Sequence, residues 1–278
     1  MRKALVHELR LFWVAVQFLT RVPVPSWVGY EPSWLNHCVR HFPLVGALVG
    51  GFGAMVWWGA SWVWPPMVAV LLSMAATTWL TGGFHEDGLT DTFDALGGTV
   101  SRDKALLIMK DSRIGAYGAM GLIFVLGLKA ASLFALAAHG VLWPALALPW
   151  AHAVSRAMAV VLMRALPYAG DIEHAKAKPL ATSVKSNDVW VSLAWSVLLS
   201  VALLAIGSVL ALGGPLLVVA VLMGVLSCLL VAWVCGRWFR QRLGGYTGDA
   251  LGATQQLSEL AVLMAWAAVL NRPELFGV

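Results

Sequence analysis

Residues 67–98 read MVAVLLSMAATTWLTGGFHEDGLTDTFDALGG. Residues 67–81 carry no charge, and the next stretch, 82–98, holds the carboxylates Glu86, Asp87, Asp91 and Asp94 within nine residues. An uncharged run of this kind is at home in lipid, and a dense acidic block is not. Their junction therefore reads as the edge of a bilayer. Composition supports that reading: the chain is 60% hydrophobic and 12% charged, whereas a soluble domain is about half apolar and about one-quarter charged. So few charges cannot cover a 278-residue globule.

A crossing takes about 20 mostly apolar residues. Working outward from the quoted stretch, the spans predicted are 42–64, 66–82, 118–138, 141–163, 189–212, 215–235 and a shorter, more polar 251–270. Uncharged connections at Pro65-Pro66, His139-Gly140 and Gly213-Gly214 pair the first six into three tight hairpins. The fold class is all-α: a polytopic integral membrane helical bundle of about six to seven transmembrane helices, forming a single integral membrane domain over 1–278. Leu5, Leu9, Phe12, Val16 and Leu19 recur at helical spacing before Pro23 and Pro25, which predicts an N-terminal interfacial amphipathic helix within the segment 1–41. That basic, apolar start imitates a signal peptide, but Gln17 and Arg21 interrupt it and no small-x-small site follows.

The segments 1–41, 83–117, 164–188 and 236–250 contain 16 of the 19 Lys and Arg residues. The positive-inside rule places them in the cytoplasm, which puts any chemistry on the cytoplasmic face. No basic run is interleaved with aromatics, which excludes a nucleic-acid partner. Cys38, Cys228 and Cys235 form no CxxC pair and read as small buried residues.

In a helix, Asp87, Asp91 and Asp94 share one face and Glu86 stands about 100° away. Their mutual repulsion calls for a compensating cation, and hard oxygen donors favour Mg²⁺, with Mn²⁺ as the alternative. A solvated acidic loop is the plainer alternative. His85 reads first as a hydrogen-bonded structural neighbour of the acids. In MKDSRIGAYGAMG (109–121), Lys110 and Arg113 supply phosphate donors, Asp111 a further carboxylate, and Gly115 and Gly118 close backbone approach. Basic residues beside a span also serve simply as anchors. Arg156 lies inside a span with His152 one turn earlier, and a buried arginine implies a counter-charge, either the acids or a substrate phosphate. Finally, GGYTGDALGATQQLSEL (244–260) gathers Tyr246, Thr247, Asp249, Gln255 and Glu259 in a glycine-rich lead-in to the last span.

These blocks, with FLTRVPVP (18–25), HFPLVGALVG (41–50) and SRAMAV (155–160), resemble the cobalamin synthase family in order and spacing over essentially the whole chain. That family comprises multi-pass membrane enzymes, the adenosylcobinamide-GDP ribazoletransferases. Residues 170–215 match least. The resemblance implies an attack by the ribose 3′-hydroxyl of α-ribazole, or of its 5′-phosphate, on the phosphate attached to cobinamide, with GMP expelled. It also implies Mg²⁺, since Glu86, Asp87, Asp91 and Asp94 match the acidic motif position by position. Within that reading Asp91, Asp94, Lys110 and Arg113 are the catalytic candidates, in a cytoplasmic catalytic loop, 83–117. The substrate-binding candidates are Lys110, Asp111, Arg113, Arg156, Tyr246, Thr247 and Asp249; the membrane lipid is the other expected partner.

Two alternatives are weighed. A CDP-alcohol phosphotransferase also places aspartates at a membrane edge, but its signature Asp-Gly-x-x-Ala-Arg fails here, where Asp87-Gly88-Leu89-Thr90 runs into Asp91-Thr92. A cation transporter would hold its acids near the midplane of repeated halves, and no repeat is evident.

Overall fold

A computed structural model describes residues 2–170, 183–212 and 214–277. Part of the expected loop 164–188, and Gly213 of the third hairpin turn, lie outside the described residues. The helices are α1 (Arg2–Leu19), α2 (Trp34–Cys38), α3 (Phe42–Ala60), α4 (Pro66–Thr81), α5 (Phe84–Gly97), α6 (Arg102–Met109), α7 (Ala116–Ala137), α8 (Leu142–Ala165), α9 (Ser186–Val209), α10 (Gly214–Leu243) and α11 (Gly248–Asn271). No strand occurs among the described residues; an isolated bridge joins Tyr168 to Tyr246. The fold is all-α, and six helical segments are long and apolar enough to cross a membrane: Trp34–Ala60, α7, α8, α9, α10 and α11.

The seventh expected span is different from the prediction. With 16 residues, α4 reaches about 24 Å at 1.5 Å per residue, short of a ~30 Å hydrocarbon core. It then turns by 89° into α5, so the two form a broken or re-entrant span. Gly82 and Gly83 make the turn, with φ of 73° and 71°, a left-handed conformation that glycine adopts without a Cβ penalty. Their amides close the end of α4, Gly83 N–H donating to the Thr78 carbonyl at 2.9 Å. The segment predicted as a catalytic loop, 83–117, is accordingly mostly helix, α5 and α6. The apolar run ended in charge, which reads as a loop, although the acids sit at helical spacing and keep one face of α5 apolar.

The centre of the bundle is α8, most of whose side chains are buried, among them Leu148, Trp150, Ala151, Val154 and Ala157. Helices in lipid gain nothing from hiding apolar surface from one another, so close packing must hold them. Here α3 supplies it: a Cβ at Gly46 would lie 2.7 Å from the His152 carbonyl carbon, and one at Gly50 2.7 Å from Pro149 Cα. The glycines of HFPLVGALVG are thus the contact surface of α3 on α8.

The N-terminal helix divides. Leu5 and Leu9 are exposed, as the interfacial expectation has them, but Leu11, Val14, Ala15, Val16 and Leu19 are buried in the protein core. Glu8, just before the buried half, fastens the helix by accepting from Arg40 Nη1 at 2.8 Å, with His41 Nε2 at 3.0 Å. Arg40 and His37 also face Asp188, whose side chain is fully buried at the start of α9. All three cysteines are free and buried.

Candidate active site

The acidic block folds as an amphipathic helix. Its inward positions, His85, Leu89, Thr92, Ala95 and Leu96, are buried, and Asp87, Asp91 and Asp94 lie on the remaining surface. On α5, Gly88 meets the first turn of α11, where an added Cβ would fall 2.9 Å from the Asp249 carbonyl oxygen. Gly252 reciprocates from α11, its Cβ position 3.4 Å from His85 Cα. The glycines of HEDG and GDALGA are therefore two sides of one crossing. Asp249 sits in the first turn of α11, where a carboxylate complements the helix dipole.

The four acids have different surroundings. Asp94 accepts hydrogen bonds from Gly115 N–H and Gly118 N–H, each at 2.7 Å, one to each carboxylate oxygen. It caps α7 from another helix, an anion on the exposed amides of a helix start. A Cβ at Gly115 would stand 2.9 Å from Asp94 Cγ, and one at Gly118 2.8 Å from the Thr90 carbonyl oxygen. The acidic block and the KDSRIGAYG block thus belong to a single contact. Asp87 is exposed and Asp91 half-buried one turn along the same face. Glu86 points elsewhere, accepting from Thr78 Oγ1 at 3.2 Å and Gln256 Nε2 at 3.1 Å. Its other oxygen, Oε2, is buried without a hydrogen-bond partner among the described residues.

The loop between α6 and α7 lies beside this face. Arg113 is 86% exposed and grips Asp111 in a two-point contact, Nη2 to Oδ2 at 2.6 Å and Nε to Oδ1 at 3.0 Å. That contact raises the arginine pKa above its ordinary value. Lys110 is half-buried at the end of α6. Tyr246 and Thr247 are placed by structure-building contacts. The Tyr246 backbone pairs with Pro167 and Ala169 and its ring meets Tyr168 edge-on; burial pushes its phenol up to about 12. Thr247 caps α11 by accepting from Ala250 N–H at 3.1 Å.

Beneath α5 is a buried ionic cluster. Glu259 of α11 is fully buried and pairs with Lys129 of α7, with His152 Nδ1 of α8 at 3.1 Å from its Oε2. Gln255 Nε2 donates to the same oxygen at 2.6 Å. Arg156, 2% exposed, donates to the His152 carbonyl at 2.9 Å. An arginine so enclosed backs the acidic helix from within, and it is not open to solvent as Arg113 is.

The family model described as cobalamin-5-phosphate synthase matches residues 11–267. The adenosylcobinamide-GDP ribazoletransferase of Leptothrix cholodnii is 57% identical over 265 residues, covering 95% of this chain and 97% of its own length. The chain belongs to the cobalamin-5-phosphate synthase family. Proteins of the same name from Ralstonia nicotianae and Polaromonas naphthalenivorans are 43% and 40% identical, each over 96% of this chain and 100% of the relative. No solved structure matches. Membership in the cobalamin-5-phosphate synthase family favours the transferase over the phosphotransferase and transporter alternatives.

Whether this synthase-family site suits a metal depends on its donors. Among the described residues, no three His, Cys, Asp or Glu side chains are grouped so as to hold a metal ion. Mg²⁺ needs fewer, commonly one or two carboxylates completed by water and phosphate oxygens. Asp87 and Asp91 fit that smaller requirement, being one turn apart on the outward face of α5. Asp94 is occupied by backbone amides and Glu86 faces the bundle, so the four acids grouped by sequence are divided by the fold. Two buried residues carried no assignment from sequence, Lys129 of the cluster and Gln256, the partner of Glu86. The signal for Lys129 was present, a single charge in GLIFVLGLKAASLFALA (121–137). Gln256 gives no such sign, because its partner Glu86 is 170 positions away.

Proposed function

We propose that this chain is an adenosylcobinamide-GDP ribazoletransferase working at the cytoplasmic face of a bacterial inner membrane. What carries the reading is the full-length relationship to enzymes of that name, at 57% identity for the Leptothrix protein. The ribose 3′-hydroxyl of α-ribazole, or of its 5′-phosphate, attacks the phosphorus attached to cobinamide. A new P–O bond forms, the phosphoanhydride P–O bond breaks, GMP leaves with the electron pair, and the hydroxyl proton is released. Such a transfer needs positioned charge more than covalent help.

The outward face of α5 and the loop 110–113 supply that charge. Asp87 and Asp91 would hold Mg²⁺, which when bound offsets the negative charge of the anhydride. Lys110 and Arg113 are placed to meet phosphate oxygens, Arg113 exchanging Asp111 for the substrate. Asp94 holds the start of α7 against α5 and so keeps acids and loop in register. Tyr246, Thr247 and Asp249 shape the α11 end of the site.

The test is direct. The purified protein in liposomes, given adenosylcobinamide-GDP, α-ribazole and Mg²⁺, should release one GMP for each cobalamin formed. Absence of GMP with folded protein and both substrates present would overturn the reading.

A further inference from the structure

Glu86 belongs by sequence with the surface acids, yet its contacts run into the bundle. Thr78 of α4 and Gln256 of α11 both donate to its Oε1, at 3.2 and 3.1 Å. Its buried Oε2 has no hydrogen-bond partner among the described residues. Arg156 on α8 lies within electrostatic reach of two carboxylates, Glu259 and, more weakly, Glu86. The guanidinium Nε is likewise buried and without a hydrogen-bond partner among the described residues.

A charge count explains the orientation. With His152 counted as neutral, the interior cluster holds the cations Lys129 and Arg156, and among the described residues Glu259 is its one carboxylate. That leaves one positive charge unmatched in a low-dielectric setting, which costs several kcal/mol per ion when nothing offsets it. Glu86 is the acid on α5 that turns toward the cluster, and it brings the formal sum to zero. Of its neighbours, Asp94 is on the amides of α7 and Asp87 is exposed.

We propose that Glu86 is the counter-ion of the buried Lys129–Glu259–Arg156 cluster, docking the acidic helix onto the bundle, and is not a metal ligand. It is a positioning residue: it fixes the angle at which α5 presents Asp87 and Asp91. Two hydrogen bonds tether it, from Thr78 on α4 and Gln256 on α11, and the charge of Arg156 on α8 attracts it at longer range. They hold the helix that follows the 89° bend made by Gly82 and Gly83.

Neutralising one side of the balance should be undone by neutralising the other. Wild type, Glu86→Gln, Lys129→Met and the double variant are purified in one detergent, and their unfolding midpoints are measured without metal. Each single variant leaves one unmatched buried charge and should lose on the order of 10 °C, while the double variant should recover most of that loss. Where Glu86→Gln yields no folded protein, recovery of folded double variant supports the charge balance in the same way. The midpoint arm involves no substrate, so its outcome is independent of the proposed reaction. In a second arm, GMP release by the double variant should return with the wild-type Mg²⁺ dependence. A double variant as unstable as the two losses added together would overturn the charge balance. A recovered midpoint with a shifted Mg²⁺ dependence would overturn the exclusion of Glu86 from the metal.

Discussion

The outward face of α5 and the cluster beneath it are both built from acids and bases, and they treat charge in opposite ways. At the surface, Asp87 is exposed and Arg113 makes a short-range pair with its neighbour Asp111, which water screens. Inside, Lys129, His152, Arg156, Gln255 and Glu259 come from three helices and enclose one another. Surface charges held this lightly can change partners when a phosphate arrives. Interior charges held this tightly cannot, so their work is to fix where the helices sit. The two layers meet at Glu86, which has the sequence position of one and the contacts of the other.

The largest effect expected from this comparison comes from the interior. Glu259→Ala leaves Lys129 and Arg156 facing each other without their shared carboxylate, and breaking a buried pair costs about 3–5 kcal/mol. Folded protein recovered from detergent should fall sharply. Wild-type yield and unfolding midpoint in that variant would mean the cluster does not hold the bundle.

On the surface the expected loss is of turnover and not of fold. Asp91→Asn should lower GMP release by at least about a hundredfold, since it removes a charge proposed to hold Mg²⁺. Its unfolding midpoint should stay near that of wild type. Near-normal activity with unchanged Mg²⁺ dependence would remove Asp91 from the site. Arg113→Ala should cost at least about tenfold, or about 1.4 kcal/mol, at saturating metal and both substrates. An unchanged rate there would leave Arg113 as an interfacial anchor paired with Asp111.

The same division decides what could be read in the sequence. Spans are legible because uncharged runs have few other places to go, and six of them appear at nearly the residues expected. The common face of Asp87, Asp91 and Asp94 is legible because it follows from helical spacing alone. The bend at Gly82-Gly83 was hidden, since two glycines before an acidic block read equally well as the start of a loop. Docking of the second half of α1 was hidden too, because a helix stripe that meets protein looks like one that meets lipid. Least legible were the partners of the acids. Asp94 meets amides 21 and 24 positions away, and Glu86 meets Gln256 170 positions away. Local pattern carries no trace of such distances, except that both glycines near Asp94 stood in a block already marked as unusual.

The smallest effect expected separates Asp94 from Asp91, two acids that share a helical face by spacing. Each Asp94 oxygen accepts one backbone N–H, from Gly115 and Gly118, at the start of α7. An asparagine there keeps one acceptor and turns an amide N–H₂ toward the other backbone donor. It therefore loses one hydrogen bond and the charge that complements the helix dipole, together about 1–2 kcal/mol. The cost falls on the joint between α5 and α7, so the unfolding midpoint should drop modestly. Turnover should drop only as far as the loop 110–113 drifts from the acids. A residue that held metal would behave otherwise, with stability nearly unchanged and turnover collapsing as in Asp91→Asn. Gly118→Ala supplies a control, because its Cβ would crowd Asp94 Cγ at 2.9 Å while every charge remains. If Gly118→Ala and Asp94→Asn share a small stability loss and a mild rate loss, Asp94 is the clasp between the two motif blocks. If Asp94→Asn instead matches Asp91→Asn in rate while Gly118→Ala stays near wild type, Asp94 acts on the substrate side and the division of the acids is wrong.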